Sequence, residues 1–278
     1  MRSICLVSLF LVLLQRTAAQ ELYVYAEPAS NIPARALSVK LTEHFVVSDN
    51  IYQRFSNRLM PQVMYGINKK LMIGTSVTFS NMHTTDYKYE SARLYAKYRF
   101  LSNDGLHKHF RMAFFADAST TQAPFHYDEI TLMGDKSGIE AGVIATQLWH
   151  KLALSTTISH SQVLDQSRKN KGVIYIPTRA YQAMNYSLSA GYLLFPREYK
   201  DYKQVNLNLY LEVMAQQTLD KKANYLDLAP AFQLIFNSNT KLNIGYRFQA
   251  AGNMQRMSSN SWQVSLERTF LNAFSRNK

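Results

Sequence analysis

Between Leu226 and Ala250 apolar and polar side chains alternate. Leu226, Leu228, Pro230, Phe232, Leu234 and Phe236 share one parity; after Asn237-Ser238-Asn239-Thr240, the side chains Leu242, Ile244, Tyr246 and Phe248 share another, with Asp227, Gln233, Asn243, Arg247 and Gln249 between them. Period two over such lengths means two strands, each with one oily and one polar face, joined as a hairpin. The same pattern predicts twelve strands, at about 35–45, 59–67, 71–81, 88–100, 109–119, 137–149, 151–161, 180–194, 204–216, 224–236, 241–250 and 261–274. Most are nine to fifteen residues long. Strands of soluble proteins run to about 5–6 residues, whereas a tilted strand that crosses a bilayer needs about 9–11.

The connections alternate in size. Asn68-Lys69-Lys70, His150-Lys151 and Ser238-Asn239-Thr240 are tight, and the links around 101–108 and 196–203 are intermediate; 46–58, 82–87, 120–136, 162–179, 217–223 and 251–260 are longer and polar. Short turns at one end and long loops at the other are expected of an outer-membrane barrel, with both termini on the periplasmic side. Aromatic residues gather at both ends of the strands. Tyr65, Tyr98, Phe100, Phe110, Trp149, Tyr192, Phe195, Phe236 and Phe270 lie near the short turns, and Phe45, Phe79, Tyr87, Tyr181, Tyr225 and Trp262 near the long loops. Two aromatic belts around an aliphatic band match the interfacial girdles of a membrane barrel; a soluble sandwich would hold its large rings mid-strand. The predicted fold class is therefore all-β, a transmembrane antiparallel up-and-down β-barrel of about twelve strands.

Composition refines this picture. Residues 1–19 read as a secretory signal peptide: Arg2, an apolar run from Ile4 to Leu14, then Thr17-Ala18-Ala19 ahead of Gln20. Cleavage after Ala19 removes Cys5, the sole cysteine, and leaves about 259 residues without disulfides. Residues 20–34 read as a periplasmic N-terminal extension, 35–274 as the barrel and 275–278 as a C-terminal tail. Without Arg2 and Arg16 there are 29 basic side chains against 19 acidic ones, a net charge of +10. Export and the absence of a basic groove interleaved with stacking aromatics exclude nucleic acid as a partner; outer-membrane lipid, lipopolysaccharide and small anionic solutes remain. Arg168-Lys169-Asn170-Lys171, in a long loop, suits lipopolysaccharide phosphate or solvent.

Parity turns a set of charges inward: Lys40, Arg93, Lys97, Arg99, Arg111, Asp117, Glu140, Glu212, Asp227, Arg247 and Glu267, with Tyr95 and Phe115 among them. Pairing Phe100 with Phe110 sets Arg99 opposite Arg111 and Arg93 opposite Asp117. Arg93, Lys97, Arg99 and Arg111 then form a basic wall, with Glu212 and Asp227 across the lumen. Such an interior is wet or closely paired, because unpaired ions in a dry interior cost several kcal/mol each. Two readings follow, a pore whose charges select solutes and a closed barrel stiffened by salt bridges. Catalysis is not expected: His160 and Ser161 are neighbours on a strand and point to opposite faces. Met82, His83, His126, Met133, Met254 and Met257 in the long loops match no metal-site spacing. No cofactor is implied.

Beyond the pattern, "EPASNIPARALSVKL", "PQVMYGINKKLMIGTSVTFS", "SARLYAKYRFL" and "GVIATQLWHKLALSTTISHS" resemble the Bacteroidetes-type outer-membrane barrels, in particular those loosely related to the phenol-degradation-operon porin family. The resemblance implies a Gram-negative outer membrane and solute passage, and it brings no catalytic residue. The chain departs from the group at its end, where Ser275-Arg276-Asn277-Lys278 follow the last aromatic. The sequence thus predicts a passive channel or solute transporter with a mild preference for anions. A closed barrel working through its external loops is the alternative, and an outer-membrane lipid hydrolase a weaker third. Solute and oligomeric state are not legible.

Overall fold

The structure, a computed structural model, describes residues 23–47, 55–105, 108–123, 127–164, 180–196 and 204–274. Residues 1–19, which read as a signal peptide, the basic run at 168–171, His126 and residues 275–278 lie outside them. Twelve strands follow one another: β1 (Leu37–Val47), β2 (Phe55–Gly66), β3 (Leu71–Ser80), β4 (Lys88–Asp104), β5 (Lys108–Thr121), β6 (Gly138–Trp149), β7 (Leu152–Val163), β8 (Gln182–Phe195), β9 (Asn206–Thr218), β10 (Asn224–Phe236), β11 (Thr240–Gly252) and β12 (Asn260–Phe270). Each pairs antiparallel with its neighbours in the sequence. β1 closes the ring against β12, from Leu37 opposite Phe270 to Val46 opposite Ser261. Closure satisfies every strand edge, which a lipid environment requires.

All twelve predicted strands are present. The last strand ends at Phe270 rather than 274, and residues 271–274 form a turn. The β10–β11 turn holds Asn237 and Ser238 at positive φ, 49° and 57°, the backbone of a type I′ hairpin whose twist matches that of the flanking strands. β4 and β5 run on to Asp104 and from Lys108, with a bulge between Arg99 and Leu101. The register therefore differs from the expected one: Phe110 faces Asn103, Arg111 faces Ser102, Ala113 faces Arg99 and Asp117 faces Tyr95. Residues 101–104, Leu-Ser-Asn-Asp, which read as part of the connection, are taken up as strand, and this moves the pairing.

Mid-strand aliphatic side chains face outward: Leu94, Ile158, Leu188, Leu211 and Leu266 each expose half or more of their surface. No water-filled neighbour would favour such a band; lipid does. Rings cluster at its borders, such as Phe100 stacked on Phe114 at 4.4 Å and Tyr246 against Trp262 at 4.6 Å. Tyr225 departs from the expected belt. It has the inward parity of β10, is 9% exposed, and lies under Arg256, whose guanidinium is 4.0 Å from the ring centre.

Candidate functional site: the lumen and its N-terminal segment

Inward positions alternate along every strand, so the interior is a lining of side chains delivered from twelve walls. The sequence places Lys40 on β1, Arg93, Lys97 and Arg99 on β4, Arg111 and Asp117 on β5, Glu140 on β6, Glu212 on β9, Asp227 on β10, Arg247 on β11 and Glu267 on β12. All eleven occupy inward-parity positions of these strands.

What fills much of the periplasmic half was not expected. Residues 23–34, whose sequence reads as part of a periplasmic extension, cross the lumen instead. Tyr23 and Val24 pack on Leu148, Ala153, Tyr210 and Ala231. Ala29 meets Ala113 and Ile144, and Ile32 meets Met64, Met72 and Tyr95. The segment has no partner strand, so its backbone amides need acceptors. Glu212, with no exposed surface, supplies them: one carboxylate oxygen accepts the N–H groups of Val24 and Tyr25, both at 2.9 Å, and the other accepts that of Ala26 at 2.7 Å. Ser189 Oγ donates to the same carboxylate at 3.1 Å. Thr146 Oγ1 accepts the Ala29 N–H at 2.9 Å, Gln263 donates to the Val24 carbonyl at 3.1 Å, and Arg111 donates to Ser30 Oγ at 2.8 Å. Two glycines make room. A Cβ at Gly66 would sit 2.2 Å from the Pro33 carbonyl oxygen, and one at Gly245 would sit 2.6 Å from the Tyr25 ring.

This segment also changes the meaning of the basic wall. Lys97 is 1% exposed and donates to the Pro28 carbonyl at 2.7 Å and to Glu27 at 3.3 Å. Arg93 pairs with Asp117 at 2.5 Å, Arg111 with Asp104 at 2.9 Å, and Arg99 donates to the Lys69 carbonyl at the periplasmic turn. The four cations are committed to partners instead of standing free around a pore, because the segment and the β4–β5 hairpin bring acceptors to them.

The external mouth is covered by residues 127–137, between β5 and β6, and 253–259, between β11 and β12. Asp227, also without exposed surface, accepts from Arg247 and, at 2.8 Å, from Arg256; Glu129 accepts from Arg256 at 3.0 Å and from Arg247 at 3.4 Å. Gln216 locks the loop backbone by donating to the Ile130 carbonyl at 2.7 Å and accepting the Ile130 N–H at 2.8 Å. Arg58 bridges Glu90 at 2.9 Å and Asp135 at 2.5 Å. His83 Nε2 lies 3.4 and 3.5 Å from those two carboxylates. One histidine and two carboxylates have the composition of a metal site, but the cation held between these carboxylates is the Arg58 guanidinium. The sequence reading missed Arg58, Glu90, Glu129, Asp135 and Arg256.

Burial alone would raise the Glu129 and Asp135 carboxyls, yet Arg256 and Arg247 at the first and Arg58 at the second hold both below the usual carboxylate range. A depressed folded value means stabilisation that is complete above the unfolded value of about 4 and is lost as pH falls through the folded one. The loop carrying them should therefore stay docked at pH 5 and loosen only in stronger acid, which limited proteolysis across a pH series will show. Release already at pH 5 would contradict these pairings.

Between the N-terminal segment and the external loops lies a cavity of about 340 Å³, reached by Tyr25 and Glu27 from below and by Glu129, Thr131 and Arg256 from above. No protein-family model matches the chain and no curated protein matches its sequence. Solved structures do match. An outer-membrane channel from Pseudomonas putida F1 superposes with a TM-score of 0.60 at 11% identity, over 89% of this chain and 100% of that one. The two share the fold of a closed antiparallel barrel. The KdgM porin matches with a TM-score of 0.42 at 10% identity, over 84% of this chain and 99% of that one. The CymD monoaromatic hydrocarbon channel has values of 0.43 and 10%, over 86% and 88%.

Proposed function

We propose that this protein is an outer-membrane channel for small solutes, narrowed by its own N-terminal segment. One observation carries this reading: the lumen is obstructed by a single segment and by loops, while the barrel wall itself leaves a cavity of about 340 Å³ between them. A purely structural barrel has no need of such a space, since wall side chains fill small barrels completely. The outer apolar band meets lipid, and the strand–turn–strand texts support kinship with the Bacteroidetes-type barrels. A mild anion preference fits best at the periplasmic rim, where Lys69, Lys70 and Lys108 are exposed beside Arg99; it should shrink with salt, because screening reaches about 10 Å at 0.1 M and about 3 Å at 1 M. The depth at which the segment is anchored favours a second reading, a permanently closed barrel that acts through its loops. Reconstitution into planar bilayers separates the two. The channel reading predicts stepwise currents; silence from folded protein, with and without residues 23–34, would overturn it.

A further inference from the structure

The polar groups of the cavity lining are spent on one another. Arg58, Arg93, Arg247 and Arg256 are all engaged with carboxylates, Glu140 accepts from Ser159 and Asn185, and Gln216 is bound to the backbone of Ile130. The surface left to face the space is mostly apolar. Val46, Met60, Met82, Leu132, Met214 and Met257 contribute to it from the wall and the external loops. Methionine is unbranched and polarizable, so such a lining adapts to apolar guests of different shape. An ion entering here would give up its hydration and find the guanidinium groups already taken, a net cost. At about 340 Å³ the space lies at the lower end of ligand-site volumes, about 300–1,000 Å³.

The wall beside this space is interrupted. Between β2 and β3 the register passes from Leu59 opposite Phe79 to Gln62 opposite Ser76 with no pair between them, although Met60 and Pro61 both pair with β1 on their other side. Pro61 is the cause, for it has no N–H to give to the ladder. The break lies mid-strand, where Val63 and Ile73 face lipid; on the inner side Met60 and Gln62 from β2 and Ser76 from β3 all line the cavity. Pro230 makes a second break of the same kind, between Leu228 opposite Phe248 and Ala231 opposite Gly245. That one is backed by packed side chains. Arg247 is fixed there by Asp227 and Glu129, and the Tyr25 ring lies against Gly245. The β2–β3 break, by contrast, has cavity lining on both of its strands.

We infer that the cavity holds a small, uncharged apolar solute and exchanges it sideways with the bilayer, through the β2–β3 seam at Pro61. The inference rests on the reading that solutes enter the lumen, and it adds their class and their route. Axial exit would return an apolar solute to water past the anchored N-terminal segment; sideways exit keeps it in an apolar medium throughout. The probe is N-phenylnaphthylamine, an uncharged apolar dye that fluoresces on reaching hydrocarbon. Cells carrying the full-length protein should take it up faster than cells without it. Pro61→Val supplies the missing N–H and closes the seam, so uptake should fall several-fold, while Pro230→Val leaves it unchanged. Met60→Trp, which fills the inner side of the seam and leaves the ladder as it is, should act like Pro61→Val. Slower gel migration after boiling verifies that each variant is folded. Uptake that is equal with and without the protein, indifferent to Pro61→Val and Met60→Trp, or lowered as much by Pro230→Val would overturn the seam. Planar-bilayer conductance tests the channel separately, because ions follow the axial path and Pro61→Val should not change it. Pro61-dependent dye uptake by a protein that carries no current leaves the seam standing and sinks the axial channel; current without Pro61-dependent uptake does the reverse.

Discussion

Deleting residues 23–34 should raise the single-channel conductance several-fold over that of the intact mature protein. The reason is geometric. The segment occupies the periplasmic half of the lumen, and its anchors are hydrogen bonds to wall side chains rather than strand pairing, so its removal leaves the ring of twelve strands closed. Glu212→Ala should act in the same direction with smaller amplitude. That change strips acceptors from three backbone N–H groups at once, and an unsatisfied buried amide costs about 1–3 kcal/mol. Equal conductance in the intact and shortened proteins would mean that solutes bypass the segment.

The second large effect belongs to the external mouth. Asp227→Ala should destabilise the barrel by about 3–5 kcal/mol, the usual cost of removing one partner from a buried ion pair. Asp227 has no exposed surface and serves both Arg247 and Arg256; without it two guanidinium groups share only Glu129. Urea unfolding of the protein folded into lipid vesicles measures the difference. Asp220→Ala provides the control, since that carboxylate is exposed in the β9–β10 loop and has no cation to leave unpaired, its partners being the Thr218 hydroxyl and the Lys222 N–H. A loss at Asp227 no larger than at Asp220 would show that the cluster contributes nothing to stability.

The barrel was legible because lipid outside and water or charge inside impose period two on every strand, and this constraint holds wherever the chain crosses. Parity also places Lys40, Arg93, Glu212 and Asp227 on the inward side of their strands. It should have turned Tyr225 inward too: in β10 that residue alternates with the outward Leu226, and its position near a strand end outweighed its parity. Arg58 was lost because the pattern starts β2 at 59, whereas the strand begins at Phe55. Glu129, Asp135 and Arg256 sit in loops, where no period tells which charges return to the barrel. The N-terminal segment was hidden for a deeper reason. It is short, holds Pro28 and Pro33, and is anchored mainly through its backbone amides, which every sequence possesses. Its only written traces are on the wall, in a carboxylate at Glu212 with no cation opposite and in glycines at the inward positions 66 and 245.

The position of that segment is the centre of this mechanism, and a cross-link tests it most directly. The Ala29 amide donates to Thr146 Oγ1 at 2.9 Å, which brings the two side-chain positions within reach of a short bis-maleimide. Cys5 is the sole cysteine of the sequence, so its replacement by Ala leaves no competing thiol. In Ala29→Cys/Thr146→Cys protein folded in outer membranes, a short bis-maleimide should join the two residues almost completely, and the linked form should conduct less than the unlinked form. Two thiols that each react with a small maleimide yet never join to one another would place the segment outside the lumen.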